Sequence, residues 1–136
     1  MPSNLPTVLA TFSEELPAER LALLLDHTEA LTPLSADATA LRDAGLYIVL
    51  ECQAPVFLFA QVQEGHIQIQ ADVPGEAATA KGFVGLLVTL FDGKAEDELA
   101  GAPADLVAAL GLDEVVGLQR RRGLRGIYAQ LKECLR

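Results

Sequence analysis

At 136 residues the chain has the length of one domain, and folding buries roughly two-thirds of the surface that such a chain exposes unfolded. Hydrophobic residues at 51% and charged residues at 21% exclude intrinsic disorder. Aromatics at 5%, with no Trp, leave the core to Leu, Val and Ala. Nineteen acidic against ten basic residues give a net charge of −9, which repels phosphate backbones and anionic lipid; the expectation is no nucleic-acid and no membrane partner.

In chain order, a short helix is expected from about Leu5 to Leu16. Pro17 opens a second helix, because Pro suits the first helical position, with Leu21, Leu24, Leu25 and Ala30 on one face up to Thr32-Pro33. Residues 35–45 read as a small-residue connection. Three β-favouring runs follow: 46–50, 56–62 and 66–70, the last in strict alternation after a Glu64-Gly65 turn. The segment Ala77 to Phe91 is apolar nearly all round and predicts a central helix covered on several sides, or a helix with a partner surface. Short helical pieces near 96–100 and 105–110 precede a final helix striped by Leu124, Ile127, Tyr128, Leu131 and Leu135. With no internal repeat or linker, residues 1–136 read as one domain. The expected class is α+β, an antiparallel three-stranded β-meander packed on one face by helices.

Met1-Pro2-Ser3-Asn4 lacks the basic start and apolar stretch of a signal peptide, and the longest apolar run, 83–91, is about half a bilayer span. Cys52 and Cys134 do not form a disulfide framework, which points to a reducing, cytoplasmic setting. No phosphate loop, Ser-centred elbow or metal-ligand cluster is present; His27 and His66 each lack a second ligand nearby, so no cofactor and no metal is expected. Cys52 stands apart, in Glu51-Cys52-Gln53-Ala54-Pro55, between two predicted strands and before a Pro that interrupts pairing. A thiol on such a loop can reach a partner, although a free Cys is also a small hydrophobe that packs well inside. Cys134, on the last helical turn beside Leu135, reads as packing.

The stretch Cys52-Gln53-x-x-Val56-Phe57 resembles the Gly-Cys-Gln-Ser-x-Val-Trp motif of the SufE family, cysteine desulfuration proteins. Lys81-Gly82 is similar to that family's Lys-Gly pair after the hairpin. Leu110-Gly111-Leu112, Arg120 and Gly123-Leu124 keep the spacing of its Leu-Gly-Leu and Ser-Pro-x-Arg-x-x-Gly-Leu elements. Glu51 stands where the family has Gly, Ala54 where it has Ser and Phe57 where it has Trp. Asp72-Val73-Pro74-Gly75 replaces Gly-Asp-Ser-Asp, and Gly117-Leu118-Gln119 replaces Ser-Pro-x.

The resemblance implies a SufE/IscU-like fold and a sulfur-accepting carrier and activator of a cysteine desulfurase, not a stand-alone enzyme, acting in iron-sulfur cluster assembly. Cys52 would take the persulfide sulfur, and Arg120 would serve the partner interface or steady the thiolate. A desulfurase is the implied partner, with an iron-sulfur scaffold downstream. The alternative is a regulatory module of the same fold that binds a desulfurase without carrying sulfur; Glu51 and Ala54 favour it. A carboxylate beside a thiol disfavours the thiolate, so Glu51 is expected to hold the Cys52 pKa at or above the free value of ~8.5.

Overall fold

Proline and serine punctuation sets the N-terminal half of the computed structural model, which describes residues 4–136. Residues 1–3, part of the stretch read above for a targeting signal, lie outside the described residues. Helix α1 (Leu5–Glu14) carries Pro6 in its first turn, and α2 (Pro17–Leu25) opens on Pro17, where the missing N–H leaves no helical bond unmade. A 3-10 turn at 28–30 follows. Residues 35–45 are not the plain connection expected from their weak periodicity. Ser35 accepts a hydrogen bond from the Ala38 amide and caps α3 (Ala36–Asp43), which buries Ala38. A cap and good helix formers suffice for two turns without an apolar stripe.

The sheet is a two-stranded antiparallel hairpin, β1 (Phe57–Gln63) and β2 (His66–Asp72), in register from Phe57–Asp72 to Gln63–His66. Glu64 and Gly65 both take positive φ (53° and 82°), the geometry of a tight two-residue turn whose twist matches the strands. Ile67, Ile69 and Ala71 point inward, as the alternation predicted.

The expected first strand is corrected: residues 46–50 contribute a single bridge, Ile48 to Phe57, so the three-stranded meander becomes a hairpin with a bridged flank. Tyr47 sits in the left-handed region (φ 57°), which breaks the pleat. Pairing is confined to Val49 N–H on Val56 O (2.8 Å) and Leu58 N–H on Tyr47 O (3.0 Å), and Pro55 has no N–H with which to extend it. Leu46 and Leu50, at the ends of this β-favouring run, are 49% and 89% exposed.

Helix α4 (Ala78–Phe91) is buried along most of its length, including Phe83, Val84, Leu86, Leu87, Leu90 and Phe91, and is the central helix the sequence predicted. It packs on α2, on the 28–30 turn and on β2. Two glycines make the closest approach possible. A Cβ on Gly82 would lie 2.6 Å from the Leu24 carbonyl oxygen, and one on Gly85 would collide with the His27 carbonyl. Short helices α5 (Glu96–Ala100) and α6 (Leu106–Ala109) lead through a second 3-10 turn, 112–114, to α7 (Leu118–Cys134), which packs against β1 and α4. Helices thus cover the apolar face of an antiparallel hairpin, an α+β arrangement.

Candidate functional site

The chain between the Ile48 bridge and β1 has no ladder to join, so residues 50–55 turn outward and return at Pro55. Cys52 lies in this loop, half-buried, its amide donating to Val49 O (3.3 Å). The loop rests on α7 at two glycines one turn apart. The Cys52 thiol donates to the Gly123 carbonyl (Sγ to O, 3.6 Å), and a Cβ on Gly123 would stand 3.2 Å from that sulfur. A Cβ on Gly126 would stand 2.6–2.8 Å from Cδ, Cβ and Oε1 of Glu51. At each position a side chain would occupy space the loop now fills.

Cys52 and Arg120 line one cleft of about 420 Å³. Gln53, Leu25, Thr79 and Gln119 line it as well, so the loop, α2, the first turn of α4 and the start of α7 all contribute walls. Burial is the main influence on the thiol, with the Glu51 carboxylate second. Together they push the Cys52 pKa from its ordinary 9.0 up to about 11, in the direction expected from Glu51, although burial leads. The resting sulfur is therefore a protonated thiol at neutral pH.

The arginines of α7 divide by partner. Arg125 grips Asp105 (3.0 Å) and Asp113 (2.8 Å), and Arg121 donates to Asp113 O (3.2 Å). Arg120 is exposed and makes no hydrogen bond or ion pair with any described residue, which leaves its five donors available at the cleft. The other sequence motifs serve packing. Lys81 is not among the residues lining the cleft; its neighbour Gly82 admits the Leu24 carbonyl. Gly111 takes φ 71° and lies under the Arg20 guanidinium, whose Nη1 would be 2.7 Å from a Cβ there; Leu110 and Leu112 are fully buried.

Cys134 occupies a different cleft, with Tyr47, Phe59 and Gln130, and burial raises its thiol pKa too. Eleven residues of helix separate it from Gly123, about 16 Å along the axis, far beyond disulfide reach of Cys52. His27 is half-buried, its Nδ1 3.4 Å from Thr89 Oγ1, with its pKa lowered by burial; His66 is exposed, 3.0 Å from Glu64 O. Among the described residues no group of three or more His, Cys, Asp or Glu converges as metal ligands, and no helix is long and apolar enough to cross a membrane.

Sequence reasoning missed Gly126 and Arg20. The first had a signal, a Gly-x-x-Gly pair inside an otherwise good helix, which marks close approach of another backbone. The second had none. Arg20 donates to Phe12 O (2.9 Å) and Gly111 O (3.2 Å) and pairs with Glu114 (2.9 Å), and partners 94 residues apart cannot be read from spacing.

Comparison with known proteins bears on the family and the fold. Residues 7–135 match the family model SufE, described as an Fe-S metabolism associated domain. SufE-like proteins from two strains of Mycobacterium tuberculosis, CDC 1551 / Oshkosh and ATCC 25618 / H37Rv, are each 28% identical over 137 residues, covering 100% of this chain and 94% of their own. The solution structure of a hypothetical protein from Thermus thermophilus superposes with a TM-score of 0.74 at 28% identity, over 98% of each chain.

Proposed function

The chain belongs to the SufE family, and from that premise we propose that it accepts persulfide sulfur from a cysteine desulfurase onto Cys52 and stimulates that enzyme. The observation that carries the reading is the shared cleft. One cysteine, on a loop rather than in the core, lines the same concave surface as an arginine with no partner among the described residues. Association of the family with Fe-S metabolism supports a role upstream of cluster assembly, with an iron-sulfur scaffold as the receiving protein.

The chemistry needs few groups. The donor enzyme carries an outer sulfur on its own cysteine as a persulfide. The Cys52 thiolate attacks that outer sulfur, the donor's S–S bond breaks, and the electron pair leaves with the donor's cysteine as a thiolate. The new S–S bond is on Cys52, no net oxidation occurs, and no metal takes part. Before attack the Cys52 thiol must lose its proton, which its resting place against Gly123 O opposes. Docking of the desulfurase is the event that lifts the loop from α7 and exposes the sulfur. Arg120, always charged and forked, binds a carboxylate of the partner or steadies the anionic sulfur as it forms.

One observation favours a second reading. A thiol held up to about 11 beside Glu51 suits a protein that binds a desulfurase and regulates it without carrying sulfur. The two part in one experiment. The protein and its Cys52→Ser and Cys134→Ser variants are incubated with a cysteine desulfurase and cysteine, and each peptide is searched by mass spectrometry for one added sulfur atom. Carriage on Cys52 predicts the added mass in wild type and Cys134→Ser and none in Cys52→Ser, with stimulation lost in Cys52→Ser. Stimulation that survives Cys52→Ser, with no added sulfur anywhere, establishes the regulatory reading.

A further inference from the structure

Glu51 is exposed, yet its stem and carboxyl lie against a helix face cleared of side chain at Gly126. It makes no hydrogen bond or ion pair with any described residue, so close packing on that bare face, and not a polar bond, gives the side chain its place. Cys52 does the same one turn earlier, on Gly123. The two loop residues thus fill two adjacent clearings on one helix. Because they are neighbours in sequence, neither can leave its clearing without pulling on the other.

We infer that Gly126 and Glu51 are positioning residues for Cys52: the bare face of α7 at Gly126 seats Glu51, and that seat keeps the adjacent thiol turned onto the Gly123 carbonyl. The inference concerns the resting state of the site proposed above to carry sulfur and rests on that reading only for its biological use. The seat is a property of the free chain. The charged groups around the pair are few. Arg120 and Glu76 line the cleft on the Cys52 side, and Glu133 lines the second cleft beside Glu51, along with Cys134 and Tyr47. None of them forms an ion pair or hydrogen bond with Glu51, so no partner competes with the seat for that side chain.

The geometry states what a substitution does. A Cβ at Gly126 would fall 2.8 Å from the Cβ of Glu51 as well as 2.6 Å from its Cδ. Rotating the end of the glutamate relieves the second contact but not the first, so the backbone at 51 has to move, and Cys52 with it. Gly126→Ala is therefore expected to lift the loop, and Glu51→Gly to free it by removing what is seated. Glu51→Gln keeps the seat and removes only the charge.

The test is alkylation of the free protein by iodoacetamide across pH, with rates at Cys52 and Cys134 read separately by mass spectrometry. Gly126→Ala and Glu51→Gly are each expected to accelerate Cys52 at pH 7 by about tenfold or more, which corresponds to its titration falling by one pH unit or more. Glu51→Gln should give a clearly smaller gain, and in the Glu51→Gly background Gly126→Ala should add nothing. Cys134, about 12 Å along the helix from Gly126 and in the cleft that Glu51 and Gly126 also line, should respond clearly less than Cys52. An unchanged Cys52 profile in Glu51→Gly overturns the inference, and this holds even if Gly126→Ala fails to fold. So does a Gly126→Ala effect of equal size with and without Glu51, an effect of Glu51→Gln as large as that of Glu51→Gly, or a parallel rise at Cys134. No desulfurase enters the assay, so a seat that behaves as described while no sulfur is ever accepted would refute the carrier reading alone.

Discussion

Raising pH on the unmodified protein probes the Cys52 site directly. The thiol pKa is pushed from 9.0 to about 11, first by burial and then by Glu51. At pH 7 the thiolate fraction is then about 10⁻⁴, against about 10⁻² for an unperturbed thiol, so alkylation at Cys52 should be roughly 100-fold slower than in a short unfolded peptide. The rate should climb about tenfold per pH unit and level off only near 11. The same shift enters stability. Below pH 9 the folded and unfolded chains both keep the proton and the contribution is constant. Between 9 and about 11 the unfolded chain gives up a proton that the folded one retains, so stability falls as pH rises through that window. A shift of two pH units corresponds to at most ~2.7 kcal/mol, and for a half-buried sulfur screened by solvent about 1 kcal/mol is the working figure. The thiol of Cys134 and the phenol of Tyr128, the latter pushed up to about 12 by burial and Asp105, act in the same direction. The contribution of Cys52 is therefore the difference between wild type and Cys52→Ser, followed by urea denaturation at pH 8 and pH 10.5. A Cys52 alkylation midpoint at or below 9, or identical pH dependence of stability in the two proteins, would refute the reasoning.

Arg120→Ala should abolish most desulfurase stimulation while moving the melting temperature by no more than about 1 °C, because the side chain has no partner among the described residues. Arg120→Lys should recover only part of the activity, since an ammonium lacks the planar fork; full stimulation by both variants returns Arg120 to plain solvated surface. Gly85→Ala should destabilise by about 1–3 kcal/mol, because its Cβ meets the His27 carbonyl and α4 must withdraw from α2 and the 28–30 turn. A loss under about 0.5 kcal/mol by urea denaturation would mean that the helices yield more easily than their packing indicates.

Local chemistry in the sequence was enough for the elements that depend on it. Alternation placed β2, Glu64-Gly65 placed the hairpin turn, Pro17 placed the start of α2, and the unbroken apolar run placed α4 at the centre. The pairing of a loop cysteine with motif spacing likewise singled out Cys52 and Arg120, and the structure brings both to one cleft. Residues 46–50 went the other way. Their composition favours a strand, but whether a strand forms depends on an available partner edge, and Tyr47 in the left-handed region leaves room for one bridge.

What tertiary structure alone decided is how the site is held. Spacing in the chain reports periodicity over a few residues; it carries no information on which distant loop will come to rest on a glycine. The seat of Cys52 on Gly123, that of Glu51 on Gly126 and the Arg20 bridge from α1 to Gly111 all arise where separate elements meet. The burial that raises the thiol is of the same kind, because desolvation is set by the elements that close around an atom and not by its neighbours in sequence.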